Sequence, residues 1–197
     1  MLTDIVYIHG FISSPQSLKA QQLLQYMQGL GGDCRVHIPA LPDFPGPAAE
    51  VLATLVEQCL DQPGASVGMV GSSLGGFFAT VLAESYDLRA VLINPAVRPA
   101  ELASHFQGEH ENPYTGSRFT LTADDVVVLT ELQPSAIVPK RYRVLLQEGD
   151  ETLDYRRAAD FYRGSELIIE PGGDHSFQGF EGHLPGVLDF LNNSAPV

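Results

Sequence analysis

The sequence of 197 residues predicts an α/β fold with about six mainly parallel strands and helices on both faces of the sheet. Short apolar runs alternate with segments of helical period along the whole chain, which is typical of βαβ units. The first run, residues 5–8, reads Ile-Val-Tyr-Ile without polar alternation, as expected of a strand that is covered on both faces. Glycine or proline bounds each run, so turns stand where the alternation needs them.

Six segments have the length and apolar composition of strands. The second is short because Pro39 ends it. Spacing between the segments leaves room for a helix in most of the connections, as a parallel sheet requires. In chain order, the predicted strands cover residues 3–9, 35–38, 67–71, 90–94, 143–147 and 166–170.

Five further segments place apolar side chains near one face of a helix. In the last of them, Leu184, Leu188 and Leu191 recur at helical spacing. Apolar faces of this kind are predicted to pack on the sheet rather than to bind a ligand. In chain order, the predicted helices cover residues 17–28, 48–60, 77–85, 154–162 and 182–192.

Residues 98–139 depart from this alternation. A segment of about forty residues is long for a crossover between two strands. Polar and turn residues, such as His-Glu-Asn-Pro at 110–113, interrupt two weak helical stretches there. We interpret the chain as a single domain, residues 1–197, in which this insertion at about 98–139 forms a partial lid.

Charge and composition disfavour several classes of partner. The formal net charge is −13, so a nucleic-acid backbone or an anionic membrane would be repelled at long range. No apolar stretch approaches the ~20 residues of a membrane span, and no basic segment precedes an apolar run near the start of the sequence. Cys34 and Cys59 lack C-x-x-C spacing and are expected to be buried free thiols. These features predict a cytoplasmic protein.

Residues 71–75 read Gly-Ser-Ser-Leu-Gly and lie between the third predicted strand and a helical segment. A strand that reverses sharply into a helix lifts the central serine onto a strained corner. Small residues two before and two after that serine let the two backbone segments pass closely. This context predicts that Ser73 is a nucleophile.

A serine nucleophile needs a base within hydrogen-bond reach, and His175 is the predicted base. The carboxyl ends of neighbouring parallel strands gather at one edge of the sheet, and His175 follows the sixth strand in a loop with two glycines. His183 is the alternative, although its position favours the start of the last helix. The spacing of His105 and His110 suits no common metal pair, so both are interpreted as surface residues and no metal site is expected.

The same edge is predicted to supply the acid that orients the base. Asp150 follows a glycine at the end of the fifth strand and is the first candidate. Glu151 and Asp154 are the alternatives, although either would also suit the cap or the first turn of the next helix. The resulting order of Ser73, Asp150 and His175 differs from that of trypsin-like and subtilisin-like proteases.

Acyl transfer also needs donors for the oxygen that becomes negatively charged. The backbone N–H of Leu74, first in the helix after Ser73, is one predicted donor. The second is expected in the loop after the first strand, where Gly10 lets the backbone turn toward the serine. The backbone N–H of Phe11 is the candidate there.

Five short motifs extend this pattern over almost the whole chain. They are Tyr-Ile-His-Gly-Phe at 7–11, Gly-Ser-Ser-Leu-Gly-Gly at 71–76, Asn-Pro-Ala at 94–96, Gly-Asp-Glu at 149–151 with Leu-Asp-Tyr at 153–155, and Gly-Asp-His-Ser-Phe at 173–177. Together they resemble an α/β-hydrolase and, more narrowly, the YqiA-like family of small bacterial esterases. The resemblance implies a compact sheet that lacks the first two strands of the larger fold, a serine nucleophile, no cofactor, and esterase activity on simple acyl esters.

These residues predict a serine carboxylesterase that hydrolyses small, short-chain acyl esters through an acyl-enzyme intermediate. The excess negative charge disfavours anionic substrates such as acyl-coenzyme A. A thioesterase, another serine hydrolase acting on a peptide or carbon–carbon bond, and a non-catalytic ligand-binding protein of the same fold are the alternatives. Aromatic residues that could line an apolar acyl pocket, or equally belong to the core, are Phe11, Phe77, Phe78, Tyr114 and Phe119.

Overall fold

The computed structural model describes residues 1–103 and 107–193, and its centre is a sheet of six parallel strands. A two-stranded hairpin lies outside that sheet. The strands are β1 (Asp4–Ile8), β2 (Arg35–His37), β3 (Val67–Ser72), β4 (Arg89–Ile93), β5 (Gly108–Glu111), β6 (Arg118–Leu121), β7 (Tyr142–Gln147) and β8 (Glu166–Glu170). The helices are α1 (Leu18–Leu30), α2 (Pro45–Leu60), α3 (Leu74–Tyr86), α4 (Pro99–Ala103), α5 (Ala123–Leu132), α6 (Tyr155–Phe161) and α7 (Leu184–Asn192).

The large sheet has the strand order β2-β1-β3-β4-β7-β8, and every neighbouring pair is parallel. All six predicted strands are present, and each observed boundary lies within one residue of the predicted one. The predicted α/β class with a parallel sheet is therefore confirmed.

Helices cover both faces of this sheet, as predicted. Successive side chains of a strand point to opposite faces, so Ile5 and Tyr7 pack in the core under α1 and α7. Val6 and Ile8 point the other way, into the core formed with α2, α3 and α6. Burial on both faces explains the unbroken apolar run of β1. Within the described ranges, none of the helices combines the length and the apolar character needed to cross a membrane.

The register of the sheet gathers the loops of the candidate site at one edge. The carboxyl end of β3 pairs with the ends of β1 and β4, so Ser73 emerges between the loops that follow those two strands. The ends of β7 and β8 also pair, which makes the loops carrying Asp150 and His175 neighbours. Parallel pairing alone thus brings distant parts of the sequence to one place.

The insertion contains more regular structure than the sequence predicts. Its weak helical stretches correspond to α4 and α5, but β5 and β6 form an antiparallel hairpin that the sequence does not predict. β5 reads Gly-Glu-His-Glu, a composition of low strand propensity, so pairing with β6 decides its conformation. The backbone N–H of Asn112 donates to Ser117 O at 2.9 Å and closes the turn between them. His105 lies outside the described residues.

Candidate active site

Ser73 stands at a sharp turn between β3 and α3. Its φ is 55° and its ψ is −122°, a conformation that costs a residue with a side chain on the order of 1–3 kcal/mol. Two backbone hydrogen bonds hold the turn, since Ser73 N–H donates to Ile93 O at 3.0 Å and Ala96 N–H donates to Ser73 O at 3.0 Å. The neighbouring strand β4 and its loop therefore offset the strain at the serine.

Glycines allow α3 to pass very close to the sheet at this turn. A Cβ added to Gly71 would overlap the carbonyl group of Gly75. A Cβ added to Gly75 would overlap the carbonyl group of Ile8 in β1. Any larger residue at either position would push α3 away from β3, so the Gly-x-Ser-x-Gly pattern follows from the packing of the turn.

Ser73, His175 and Asp150 lie in one chain of hydrogen bonds. Ser73 Oγ is 3.1 Å from His175 Nε2. On the other side of the ring, Nδ1 is 2.9 Å from each carboxylate oxygen of Asp150. The side chain of Asp150 is 1% exposed and that of His175 is 25% exposed, so the acid is shielded while the ring stays accessible. An ionised Asp150 favours the tautomer with the proton on Nδ1, which leaves the Nε2 lone pair directed at Ser73.

The alternative acids and the alternative base have other partners. Asp154 caps α6 by accepting the backbone N–H two residues further on, at 3.1 Å. Glu151 accepts the backbone N–H of His175 at 3.0 Å and so contacts its loop rather than its ring. His183 Nε2 lies 2.9 Å from Glu170 Oε1. The structure therefore brings together the residues that the sequence ranks first and directs the alternatives elsewhere.

Phe11 and Leu74, whose backbone N–H groups are the predicted oxyanion donors, both belong to segments next to Ser73. Leu74 is first in α3, at the helix end that carries a positive partial charge. The loop after β1 approaches the serine so closely that a Cβ on Gly10 would lie 3.2 Å from Ser73 Cβ. Within the described ranges, neither N–H group donates to a backbone acceptor. Their role as oxyanion donors stays a prediction.

The hairpin of the insertion packs on the loop that carries Phe11. The Phe11 ring meets His110 and Phe119 edge-on, with ring centroids 5.5 and 5.8 Å apart. Phe119 also packs against Phe44, at 5.8 Å between centroids. His110 is therefore half-buried in an aromatic cluster, and its interpretation as a surface residue is wrong. The cluster ties the insertion to the loop of the candidate oxyanion donor.

A cavity of about 330 Å³ opens beside Ser73 and His175. The body of the fold supplies apolar wall residues such as Leu41 and Leu153. The insertion supplies the opposite wall through side chains of α4, β6 and α5. The residues from the insertion that line the cavity are Pro99, Leu102, Asn112, Leu121, Thr122, Asp125, Val126 and Leu129. The candidate site is therefore a mainly apolar pocket between the sheet edge and the insertion.

Aromatic residues contribute to this cavity less than the sequence suggests. Phe11 and Phe78 line it, together with Phe44, which is not among the five aromatic candidates from the sequence. Phe77 belongs to α3 and is buried in the core, and Tyr114 is exposed at the hairpin turn. Phe119 packs against Phe11 instead of lining the cavity. Aliphatic side chains form most of the remaining apolar wall.

The charges around the cavity are acidic. Asp43 and Asp125 are among its lining residues, whereas no lysine or arginine from the described part of the chain lines it. Asp43 accepts hydrogen bonds from Asn112 Nδ2 at 3.0 Å and from the hydroxyl of Ser117. Burial lowers the pKa of His9, which lines the cavity beside Gly10, and so favours the neutral form of that ring.

A second cluster of polar side chains lies at the opposite end of the sheet. Asp4, His37 and Cys59, residue types that bind zinc, place their donor atoms within 4.8 Å of one another. Arg35 already binds both carboxylate oxygens of Asp4, at 2.8 and 2.9 Å, and His37 Nε2 lies 2.7 Å from one of them. Burial raises the pKa of Asp4, but these hydrogen bonds outweigh it and hold the pKa at about 2. The contacts explain the cluster as an ion-pair network, and we assign no ligand to it.

The two free cysteines differ in burial. Cys59 is buried in the core, as expected, whereas Cys34 is only half-buried. Cys34 directly precedes the short strand β2, at the edge of the sheet, where fewer elements cover it. The expectation of two buried thiols therefore holds for Cys59 and is wrong for Cys34.

Two residues for which the sequence predicts no role in the site contact the loop of His175. Asn94 follows β4 and Gln147 ends β7, and both side chains hydrogen-bond to the backbone of that loop. A signal was present, because each is a polar residue directly after apolar residues at the carboxyl end of a central strand. Asn94 also has a φ of 40°, which is unusual for a residue other than glycine.

The fold and the strained serine turn together define the class of the protein, which has the α/β-hydrolase fold. A protein-family model described as "Uncharacterised protein family (UPF0227)" matches residues 4–192. The chain belongs to this family, and the match confirms the resemblance that the five motifs indicate.

Three known proteins illustrate the similarity. A UPF0227 protein of Yersinia enterocolitica is 26% identical over 191 residues, covering 94% of this chain and 97% of the relative. The solved structure of mouse alpha/beta hydrolase domain-containing protein 10 has a TM-score of 0.73 and 17% identity, covering 98% of this chain and 90% of that one. Est1E from Butyrivibrio proteoclasticus with bound ferulic acid has a TM-score of 0.71 and 15% identity, covering 95% and 87%. At these identities the two solved structures show the fold alone.

Proposed function

We propose that the protein is a serine carboxylesterase that hydrolyses small, short-chain, neutral acyl esters through an acyl-enzyme intermediate. The observation that carries the proposal is the chain of contacts from Ser73 Oγ through the imidazole of His175 to Asp150. An α/β-hydrolase fold alone would not support an activity, because one fold hosts many functions. A nucleophile, a base, an acid and two backbone donors at one pocket do support it.

The geometry supports the following reaction. Ser73 Oγ attacks the carbonyl carbon of the ester while His175 Nε2 accepts the serine proton, and Asp150 stabilises the imidazolium. The N–H groups of Phe11 and Leu74 donate to the oxygen that gains negative charge. His175 returns the proton to the leaving alcohol. The same ring then removes a proton from the water molecule that hydrolyses the acyl-enzyme and returns it to Ser73.

The walls of the cavity support a small and neutral substrate. A volume of about 330 Å³ lies near the lower end of the range for ligand pockets, roughly 300–1,000 Å³. Asp43 and Asp125 at the wall disfavour anionic thioesters such as acyl-coenzyme A relative to neutral esters. Est1E, which shares the fold, has ferulic acid bound in its structure, in keeping with a small acyl group.

A fluorophosphonate probe tests the proposal. We expect the probe to label Ser73 in the folded protein, because attack on phosphorus needs the same activated serine. Peptide mass spectrometry identifies the labelled residue, and heat-unfolded protein serves as the unlabelled control. Absence of label on the folded protein would favour the ligand-binding alternative. Faster hydrolysis of acyl thioesters than of the matched oxygen esters would favour the thioesterase.

We further propose that the insertion, residues 98–139, acts as a partial lid whose wall limits the acyl group. For p-nitrophenyl esters from acetate to dodecanoate, kcat/KM is expected to rise while added methylenes are buried, by up to about fourfold each from roughly 0.8 kcal/mol per methylene. It is expected to fall beyond about eight carbons, where the chain meets the wall. Steady-state kinetics across the series measures this, and a continued rise beyond eight carbons would contradict it.

A matched pair of variants tests whether the side chains of the insertion that line the cavity limit the length of the acyl chain. Leu121→Ala removes a side chain that lines the cavity, so the optimum should move to a longer acyl chain. Val127→Ala removes an exposed side chain of α5 that does not line the cavity, so the optimum should stay in place. Equal optima in the two variants would show that this wall does not set the chain length.

A further inference from the structure

The loop that carries His175, residues 171–178, has little regular secondary structure, so its backbone groups need partners from elsewhere. Asn94 supplies two of them. Its Nδ2 donates to the carbonyl oxygen of Asp174 at 3.0 Å and to that of His175 at 3.4 Å. One side chain from the end of β4 therefore holds the two peptide groups that flank the Cα of His175.

Gln147 supplies further bonds from the next strand of the sheet. Its Oε1 accepts the backbone N–H groups of Asp174 at 3.2 Å and of Gln178 at 2.9 Å. Its Nε2 donates to the carbonyl oxygen of Gln178 at 2.8 Å and to Glu170 Oε2 at 2.9 Å. A glutamine amide has two donor hydrogens and two acceptor lone pairs, and here all four are used.

The two side chains form one buried unit. Asn94 Oδ1 accepts the backbone N–H of Gln147 at 3.0 Å, and the two residues are only 2% and 3% exposed. A Cβ on Gly173 would overlap the Gln147 side chain, which shows how closely the loop is seated on it. The loop has other contacts as well: the backbone N–H of Gly149 donates to Gly172 O at 2.7 Å, Lys19 donates to Ser176 O at 2.6 Å, and Glu151 accepts the backbone N–H of His175 at 3.0 Å.

We propose that Asn94 and Gln147 are positioning residues that fix the position and orientation of the His175 imidazole between Ser73 and Asp150. The proposal rests on the function proposed above. A general base works only when its lone pair is aligned with the proton it accepts, and a displacement of about 1 Å costs roughly 10²-fold in rate. Bonds that only stabilised the fold would leave kcat unchanged in protein that remains folded.

Two deletions on different strands test this role. Asn94→Gly removes the side chain while glycine keeps access to the observed φ of 40°. Gln147→Met keeps the length of the buried side chain and removes its hydrogen bonds. In each variant kcat for p-nitrophenyl butyrate is expected to fall about 10- to 100-fold. KM should change less than threefold, because neither residue lines the cavity.

Tyr142→Phe is the matched control for lost stability. Tyr142 is fully buried at the opposite end of β7, where its hydroxyl donates to Glu84 Oε1 at 2.5 Å. Its variant also loses a side-chain hydrogen bond from the core, yet kcat is expected to stay within twofold. Thermal unfolding of all variants shows whether each is folded at the assay temperature. If Asn94→Gly does not fold, Asn94→Asp keeps the shape and the acceptor while removing the donor, and the same loss is expected.

A measurement that does not depend on activity separates this proposal from the proposed function. In a Ser73→Ala background, the proton on His175 Nδ1 should give a downfield, exchange-protected NMR signal because Asp150 binds it. Adding Asn94→Gly or Gln147→Met should abolish that protection. Folded deletion variants that keep both the signal and a kcat within twofold would overturn the positioning role. Absent hydrolysis and absent probe labelling in the wild type would instead overturn the function, and the NMR signal would still decide the positioning role.

Discussion

Replacing Ser73 with alanine is expected to lower kcat for p-nitrophenyl butyrate by at least about 10⁴-fold, because the acyl-enzyme can no longer form. The variant should remain folded. The hydrogen bond from Ser73 Oγ to His175 Nε2 is a single side-chain contact, and such bonds contribute about 1 kcal/mol to the free energy of unfolding. Alanine keeps the Cβ, so the strained backbone of the turn is the same in both proteins.

Ser176→Ala is the control for this experiment. Ser176 directly follows His175 and is exposed, and its contact with Lys19 uses the backbone carbonyl rather than the hydroxyl. Its variant should keep kcat within about twofold and should still be labelled by a fluorophosphonate. Steady-state kinetics, labelling and thermal unfolding are measured on all three proteins. Substantial turnover by folded Ser73→Ala would contradict the proposed mechanism.

The strands could be predicted because burial on both faces of a parallel sheet requires short, unbroken apolar runs. Most helices could be predicted because their apolar side chains recur at helical spacing. Where a prediction fails, the cause is a feature that periodicity does not report. α2 begins at Pro45 rather than at residue 48, because proline suits the first turn of a helix although it breaks the apolar pattern. The β5–β6 hairpin escaped prediction because cross-strand pairing, not composition, decides its conformation.

The candidate site could likewise be predicted only in part. Parallel topology sends the loops of Ser73, Asp150 and His175 to one edge of the sheet, so their proximity could be inferred from strand order alone. Their catalytic roles stay predictions. The contacts of Asn94 and Gln147 with the His175 loop span 80 and 27 residues of sequence and depend on the orientation of each side chain. No local pattern encodes such an orientation, and the same is true of the cavity between the fold and its insertion.

Replacing Asp150 with asparagine is expected to lower kcat about 10⁴-fold through the wrong tautomer of His175. Asp150 Oδ1 accepts the backbone N–H groups of Thr152 at 2.9 Å and Leu153 at 2.8 Å. Those two donors should hold the amide oxygen of asparagine at the Oδ1 position, which turns the amide nitrogen toward His175 Nδ1. The ring then accepts a hydrogen bond at Nδ1 and carries its proton on Nε2, where it can no longer take the proton of Ser73.

Glu151→Gln is the matched control, since it also replaces a carboxylate by an amide, at the adjacent residue. Within the described part of the chain, the one hydrogen bond shown for the Glu151 side chain is the bond that it accepts from the backbone N–H of His175. The amide oxygen of glutamine can accept that bond equally well. We therefore expect a change in kcat of less than about threefold. Steady-state kinetics measures both variants, and NMR of the imidazole nitrogens reports the tautomer. A large loss in Glu151→Gln with little loss in Asp150→Asn would assign the acid to Glu151, because the tautomer argument requires the opposite order.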